Sequence, residues 1–156
     1  MPPVDVAAIA RGRGIDIRYE AFDDNVSGVL VRQAGRSTIG VSSAQSEVRQ
    51  RFTIAHELGH FLLHQGHELH VDKSFSVNWR RSKEGGDADP VEIEEVEANA
   101  FAACLLMPEE MLNARRDSMV FDLEDETEIQ RLATQFKVSR QAMNFRLFNL
   151  YRRSGA

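Results

Sequence analysis

Two histidines and a glutamate stand together in the run His56-Glu57-Leu58-Gly59-His60. Residues four apart lie on one face of a helix, so His56 and His60 can direct two imidazole nitrogens at a single ion. Glu57 sits beside that face, where its carboxylate can reach water on the ion without displacing a ligand. Zinc holds such a water near a pKa of ~7, and Glu57 can take its proton and pass it to a leaving amine. So short a pattern also arises by chance, on solvated helices with no metal. Two further features give it weight. All 5 histidines of the chain fall between positions 56 and 70, and the charged trio is embedded among Phe52, Ile54, Phe61, Leu62 and Leu63, where charge needs a partner.

A third ligand has to come from elsewhere. His64 lies eight residues from His56, ~12 Å of helical rise, too far for both rings to meet one ion; it is read as a supporting or surface residue. A third histidine six residues after His60, with a glycine midway, is absent, since those positions hold Gly66 and Leu63. A carboxylate on a second helix completes two histidines, one acid and an open position for water. Glu92, Glu94, Glu95 and Glu97 are the candidates. Glu95 shares a helix face with Asn99, flanked by the small Ala98 and Ala102, so it is favoured, with Glu97 as the alternative. Asn99 is then placed to orient a ligand histidine. Glu92 and Glu94 suit a helix N-terminus. The donor set fits Zn2+ and would also accept manganese or cobalt.

These side chains need two helices and a support. A short helix is expected from Pro3 to Ala10, then strands at Ile15–Tyr19, Val29–Arg32 and Thr38–Val41, the last two forming a hairpin. A helix from about Ser43 to His64 carries the paired histidines. Residues 66–88 lack a period and are read as a long lid, binding loop or disordered segment. Asp89, Pro90 and Glu92 mark the start of the second helix, which runs to Met107. Another turn runs from Pro108 to Arg116, an acidic loop covers 117–126, Thr127 and Gln130 resemble a capping box, and Ser139 can cap a last helix. The expected class is α+β: a small antiparallel sheet beside two metal-bearing helices, then a helical C-terminal part. The division is 1–116 for the core and 117–156 for a helical extension packed on it. The 29–41 hairpin is also expected to offer a strand edge to an extended substrate.

At 156 residues the chain can bury a core without disulfides or a structural metal, leaving a metal free for catalysis. One cysteine, Cys104, cannot form an intramolecular bridge, and the start MPPVDVAAIARGRG has no basic segment before a long apolar run. No apolar stretch reaches the ~20 residues of a membrane span. A cytoplasmic protein without a membrane partner is therefore expected. The net charge of -5 argues against direct nucleic-acid binding, although the tail after position 126 is mildly basic.

The segments RFTIAHELGHFLLH at 51–64 and EVEANAFAACLLMP at 95–108, in this order, resemble the ImmA/IrrE family of bacterial metallopeptidases, formerly a domain of unknown function. With the preceding hairpin and VSRQAMNFRL at 138–147, the resemblance covers most of the chain. It implies a zincin-like core of the gluzincin kind, a metallo-endopeptidase with ligands His56, His60 and Glu95 and the base Glu57. It also implies that a cognate helix-turn-helix repressor is cleaved, directly or by triggering, to release genes for stress response or mobile-element transfer; with the sequence ending soon after the helical part, regulation by a fused sensor domain is not expected. A second reading, a metal-binding module that sequesters a repressor without cutting it, is disfavoured by the intact Glu57. Residues 127–150 have a weak helix-turn-helix rhythm, read as core packing rather than DNA recognition.

Overall fold

The computed structural model describes residues 2–73, 89–116 and 124–154. In chain order these form α1 (Val6–Gly12), β1 (Ile15–Glu20), β2 (Val26–Gln33), β3 (Arg36–Ser42), α2 (Glu47–Leu63), β4 (Leu69–Lys73), α3 (Pro90–Leu106), α4 (Glu109–Arg116), α5 (Glu126–Phe136) and α6 (Arg140–Ser154). The class is α+β with a helical C-terminal part, as the residue patterns imply.

The sheet has the order β1-β3-β2-β4. Ala34 and Gly35 both take positive φ, 52° and 73°, which is the backbone a two-residue hairpin loop requires, and Gln33 then pairs with Arg36. That turn makes β2 and β3 antiparallel. The chain leaving β1 runs past the place that β3 later fills, so β1 pairs with β3 in parallel, Ile17 opposite Ile39. The sheet is consequently mixed rather than antiparallel throughout. It also contains a strand that was expected to be loop: Leu69–Lys73, inside the 66–88 stretch, pairs antiparallel with β2, His70 opposite Leu30. The rest of that stretch, 74–88, lies outside the described residues, as does 117–123 of the expected acidic loop. The hairpin edge expected to receive substrate is absent, because β3 is covered by β1 and β2 by β4.

The helices follow their caps. Ser46 accepts from Arg49 N at 3.3 Å and starts α2; Asp89 accepts from Val91 N at 3.0 Å and starts α3, with Pro90 in its first turn. Asp125, rather than Thr127, caps α5, its carboxylate accepting from the backbone of Thr127 and Glu128. Asp125 stands one residue before the helix, where its carboxylate reaches both free N–H groups, whereas Thr127 already lies inside the first turn. Ser139 caps α6 as expected, accepting from Ala142 N at 3.0 Å.

One buried cluster takes in Val6, Ile15, Leu30, Ile39 and Val41 from the N-terminal elements, Ile54 and Leu58 from α2, and Leu106 and Met107 at the end of α3. Ile129, Leu132, Phe136, Met143 and Leu147 from α5 and α6 belong to the same cluster. Polar contacts reinforce it: Arg51 donates to the carbonyls of Phe136 and Lys137, and Arg146 Nε donates to Met107 O at 3.0 Å.

Candidate metal centre

The middle of α2, Thr53 to His60, is buried on every side, between the sheet and α3. Two close approaches make this possible. A Cβ on Gly28 of β2 would lie 2.3 Å from Thr53 Cγ2, and a Cβ on Gly59 would lie 3.0 Å from Phe101 Cδ1 and 3.2 Å from Ala98 Cα. Glycine at 28 admits the helix to the sheet, and glycine at 59 lets α3 pack at the distance of its alanines, Ala98 and Ala102, both fully buried. Arg32 holds the far end of α2: its guanidinium donates to the carbonyls of His60, Phe61 and His64 at 3.0, 3.2 and 2.7 Å. A cation there satisfies acceptors that a helix C-terminus leaves free.

Within this frame His56, His60 and Glu95 come together. His60 Nε2 lies 3.2 Å from His56 Nε2, and both face the Glu95 carboxylate, at 2.9 Å from His60 and 3.2 Å from His56. The three ligand atoms lie within 4.8 Å of one another, with both histidines buried. Two imidazole nitrogens and one carboxylate oxygen aimed at a common point are the donor set a divalent cation takes, so the residues fit such an ion. Glu97, the alternative ligand, points elsewhere: its Oε2 is 3.3 Å from His64 Nε2. Glu94 pairs with His67 at 3.6 Å.

Glu57 is fully buried, and its carboxylate accepts from His70 Nδ1 on β4 at 3.0 Å. His70 Nε2 in turn reaches Glu95 Oε1 at 2.8 Å, and its ring lies 3.9 Å, centroid to centroid, from that of His60. Asp72, two residues on, joins His56 and Glu57 in a second acid-rich group.

The charges of these groups are set by burial against pairing. Burial alone would raise the Glu95 carboxyl, but its bonds with His56, His60 and His70 hold it far below the carboxylate range. Burial opposes a charge on His70, yet its bonds to Glu57 and Glu95 win and push it up to about 10. His56 is raised too: burial is the largest single influence and lowers it, but the Glu95 bond and the charges of Asp72, Glu57 and Glu95 together outweigh it, whereas for His60 burial prevails and lowers it. Burial pushes Asp72 up to about 6.

His70 and Asp72 were not among the expected site residues: the alternation of their stretch marks a strand but not which of its sides is buried. Leu69-His70-Val71-Asp72-Lys73 alternates at strand period with its sides exchanged: Leu69 and Val71 are 59% and 40% exposed, while His70 and Asp72 turn inward. The role expected of Asn99 is not filled. His56 Nδ1 is buried with no hydrogen-bond partner among the described residues, and the Nδ1 of His60 faces His64 instead.

The model of the Peptidase M78 family, described as the IrrE N-terminal-like domain, matches residues 10–148. No curated protein matches the chain.

Proposed function

Because the chain belongs to this peptidase family of IrrE N-terminal-like domains, we propose that it is a zinc-dependent endopeptidase that cuts a helix-turn-helix transcriptional repressor and so relieves repression in a stress response. The observation that carries the reading is the convergence of His56, His60 and Glu95 on one point, with a separate buried carboxylate, Glu57, beside them. A purely structural site has no use for that second acid.

His56, His60 and Glu95 would hold the ion, and zinc, manganese and cobalt all suit the donors. The ion supplies Lewis-acid polarisation of the scissile carbonyl and activation of the attacking water. Glu57 accepts a proton as water oxygen adds to the carbonyl carbon, and returns it to the nitrogen as the C–N bond breaks. His70 holds the Glu57 carboxylate in place. Beside them β4 is, among the described residues, the terminal strand of the sheet, so an extended peptide can pair along its outer edge. Backbone pairing carries little side-chain information, so selection of one repressor falls to surfaces away from the centre.

The test is incubation of zinc-loaded protein with a helix-turn-helix repressor encoded beside it and with casein, followed by mass spectrometry. Cleavage of the repressor at one site, with casein spared, is expected. Casein degraded while the repressor stays intact overturns the substrate assignment. If Glu57→Gln relieves repression as well as the native protein, the chain acts by binding its partner rather than by cutting it.

A further inference from the structure

Behind His60 runs a line of contacts that the peptidase reading does not use. His60 Nδ1 lies 3.1 Å from His64 Nδ1, and His64 Nε2 lies 3.3 Å from Glu97 Oε2. His64 is buried at 9% exposure, so its ring cannot exchange these partners for water without moving.

An N···N approach of this length between two imidazoles requires that one nitrogen carry the proton and the other accept it. With both rings neutral two directions are possible, and Glu97 discriminates between them. If His64 Nδ1 donates, a neutral His64 turns a bare Nε2 towards the Glu97 carboxylate, acceptor against acceptor. If His60 Nδ1 donates, His64 accepts at Nδ1 and gives its own Nε2 proton to Glu97, so every contact joins a donor to an acceptor. The second arrangement also leaves His60 Nε2 without a proton. That lone pair faces Glu95 Oε1 at 2.9 Å, and a cation between them satisfies both.

We propose that His64 and Glu97 are positioning residues for the metal centre: through the line Glu97–His64–His60 they select the His60 tautomer whose Nε2 is free to ligate and hold that ring in place. The idea rests on the metal-centre reading above. It gives Glu97 a task on the ligand histidine, through His64, in place of direct ligation. It also separates the two ligand histidines, since the Nδ1 of buried His56 has no such support among the described residues. A second consequence concerns the group His60, His64 and Glu94, whose ligand atoms also lie within 4.8 Å of one another. A proton shared between the two Nδ1 atoms excludes an ion from that group.

The experiment uses the full chain loaded with zinc, with affinity measured by competition against a chelating dye and histidine protons read by 15N NMR. His64→Phe, which keeps a ring but no nitrogen, is expected to weaken zinc binding by ~10–100-fold, the usual cost of losing a partner behind a ligand. Glu97→Ala, at an exposed position that folding tolerates, should weaken it less, and Glu97→Gln, which retains an accepting oxygen, should restore most of the loss. In the native protein the proton resides on His60 Nδ1 and exchanges slowly; in His64→Phe it exchanges fast. Unchanged affinity in His64→Phe and Glu97→Ala, a His60 proton on Nε2, or a second zinc lost with His64 each overturn the proposal. Full zinc binding by a His56→Ala/His60→Ala variant overturns the metal centre itself; loss of binding there together with an unaffected His64→Phe overturns only the positioning line.

Discussion

A carboxylate as deeply buried as Glu57 persists in an ionised form only with a partner, and the partner is His70 on another element. This pairing fixes two expectations. Glu57→Gln keeps the volume and the fold, leaves zinc affinity within a few-fold of native, and lowers peptidase turnover by ~10²–10⁴-fold, the range for loss of a general acid–base group. His70→Ala strands the carboxylate, so it costs more stability alone than on a Glu57→Gln background. Urea unfolding of the four proteins of that double-mutant cycle should return a coupling of ~1 kcal/mol or more, and strict additivity would show that the two groups do not support each other. At the ligand positions, Glu95→Gln removes the anionic donor and should weaken zinc binding more than any change at Glu97, measured by the same dye competition. That His56, Glu57 and His60 lie together was readable from spacing alone, because a helix converts positions into a face. In the sequence Glu95 stood apart from Glu97 only through its small neighbours and Asn99; among the described residues Asn99 meets neither His56 Nδ1 nor His60 Nδ1, whereas Ala98 brings the two helices together at Gly59.

At the level of elements, that approach of α2 and α3 is the quantity the site depends on. Gly59→Ala adds a methyl group 3.2 Å from the Ala98 backbone, which cannot turn aside as a side chain can. Helix propensity improves by ~1 kcal/mol, while overpacking costs ~1–3 kcal/mol. Stability should therefore change little, but zinc affinity should fall clearly, because the ligands sit on both helices and the added volume separates them. Calorimetry with and without zinc distinguishes this from simple destabilisation, which would lower both melting temperatures alike. The caps and periods of α2 and α3 were readable because they obey local rules: a serine or aspartate before the first turn, proline within it, apolar residues at three- and four-residue steps. β4 escaped for the opposite reason. His70 and Asp72 face inward to the site while Leu69 and Val71 face out, so the alternation did not show which side is buried. The parallel pairing of β1 with β3 is a long-range choice that no local pattern records.

Across the whole molecule, the buried cluster that includes Val6 also includes Leu147, and Phe136 lies in it with no exposed surface. Phe136→Ala should cost ~3–5 kcal/mol, the usual penalty for emptying so large a buried volume. Followed by circular dichroism and by zinc release, its unfolding should give coincident curves; release well before the loss of helix would mean that α5 and α6 stand apart from the site. The apolar stripe of α5 was visible in the sequence, but its destination, the carbonyl ends held by Arg51 and the end of α3 held by Arg146, depends on packing across the full length of the chain. The meeting of His60 with Glu95 has one more implication. An ion joining them ties α2 to α3 and closes the intervening chain, 61–94, into a loop, much as a covalent cross-link would. Restricting an unfolded chain over such a span is worth about 4 kcal/mol on the loop-entropy scale used for disulfides. The ion would thus act as a removable staple, and the supply of zinc would set how long the chain survives cellular proteases as well as whether it can cut.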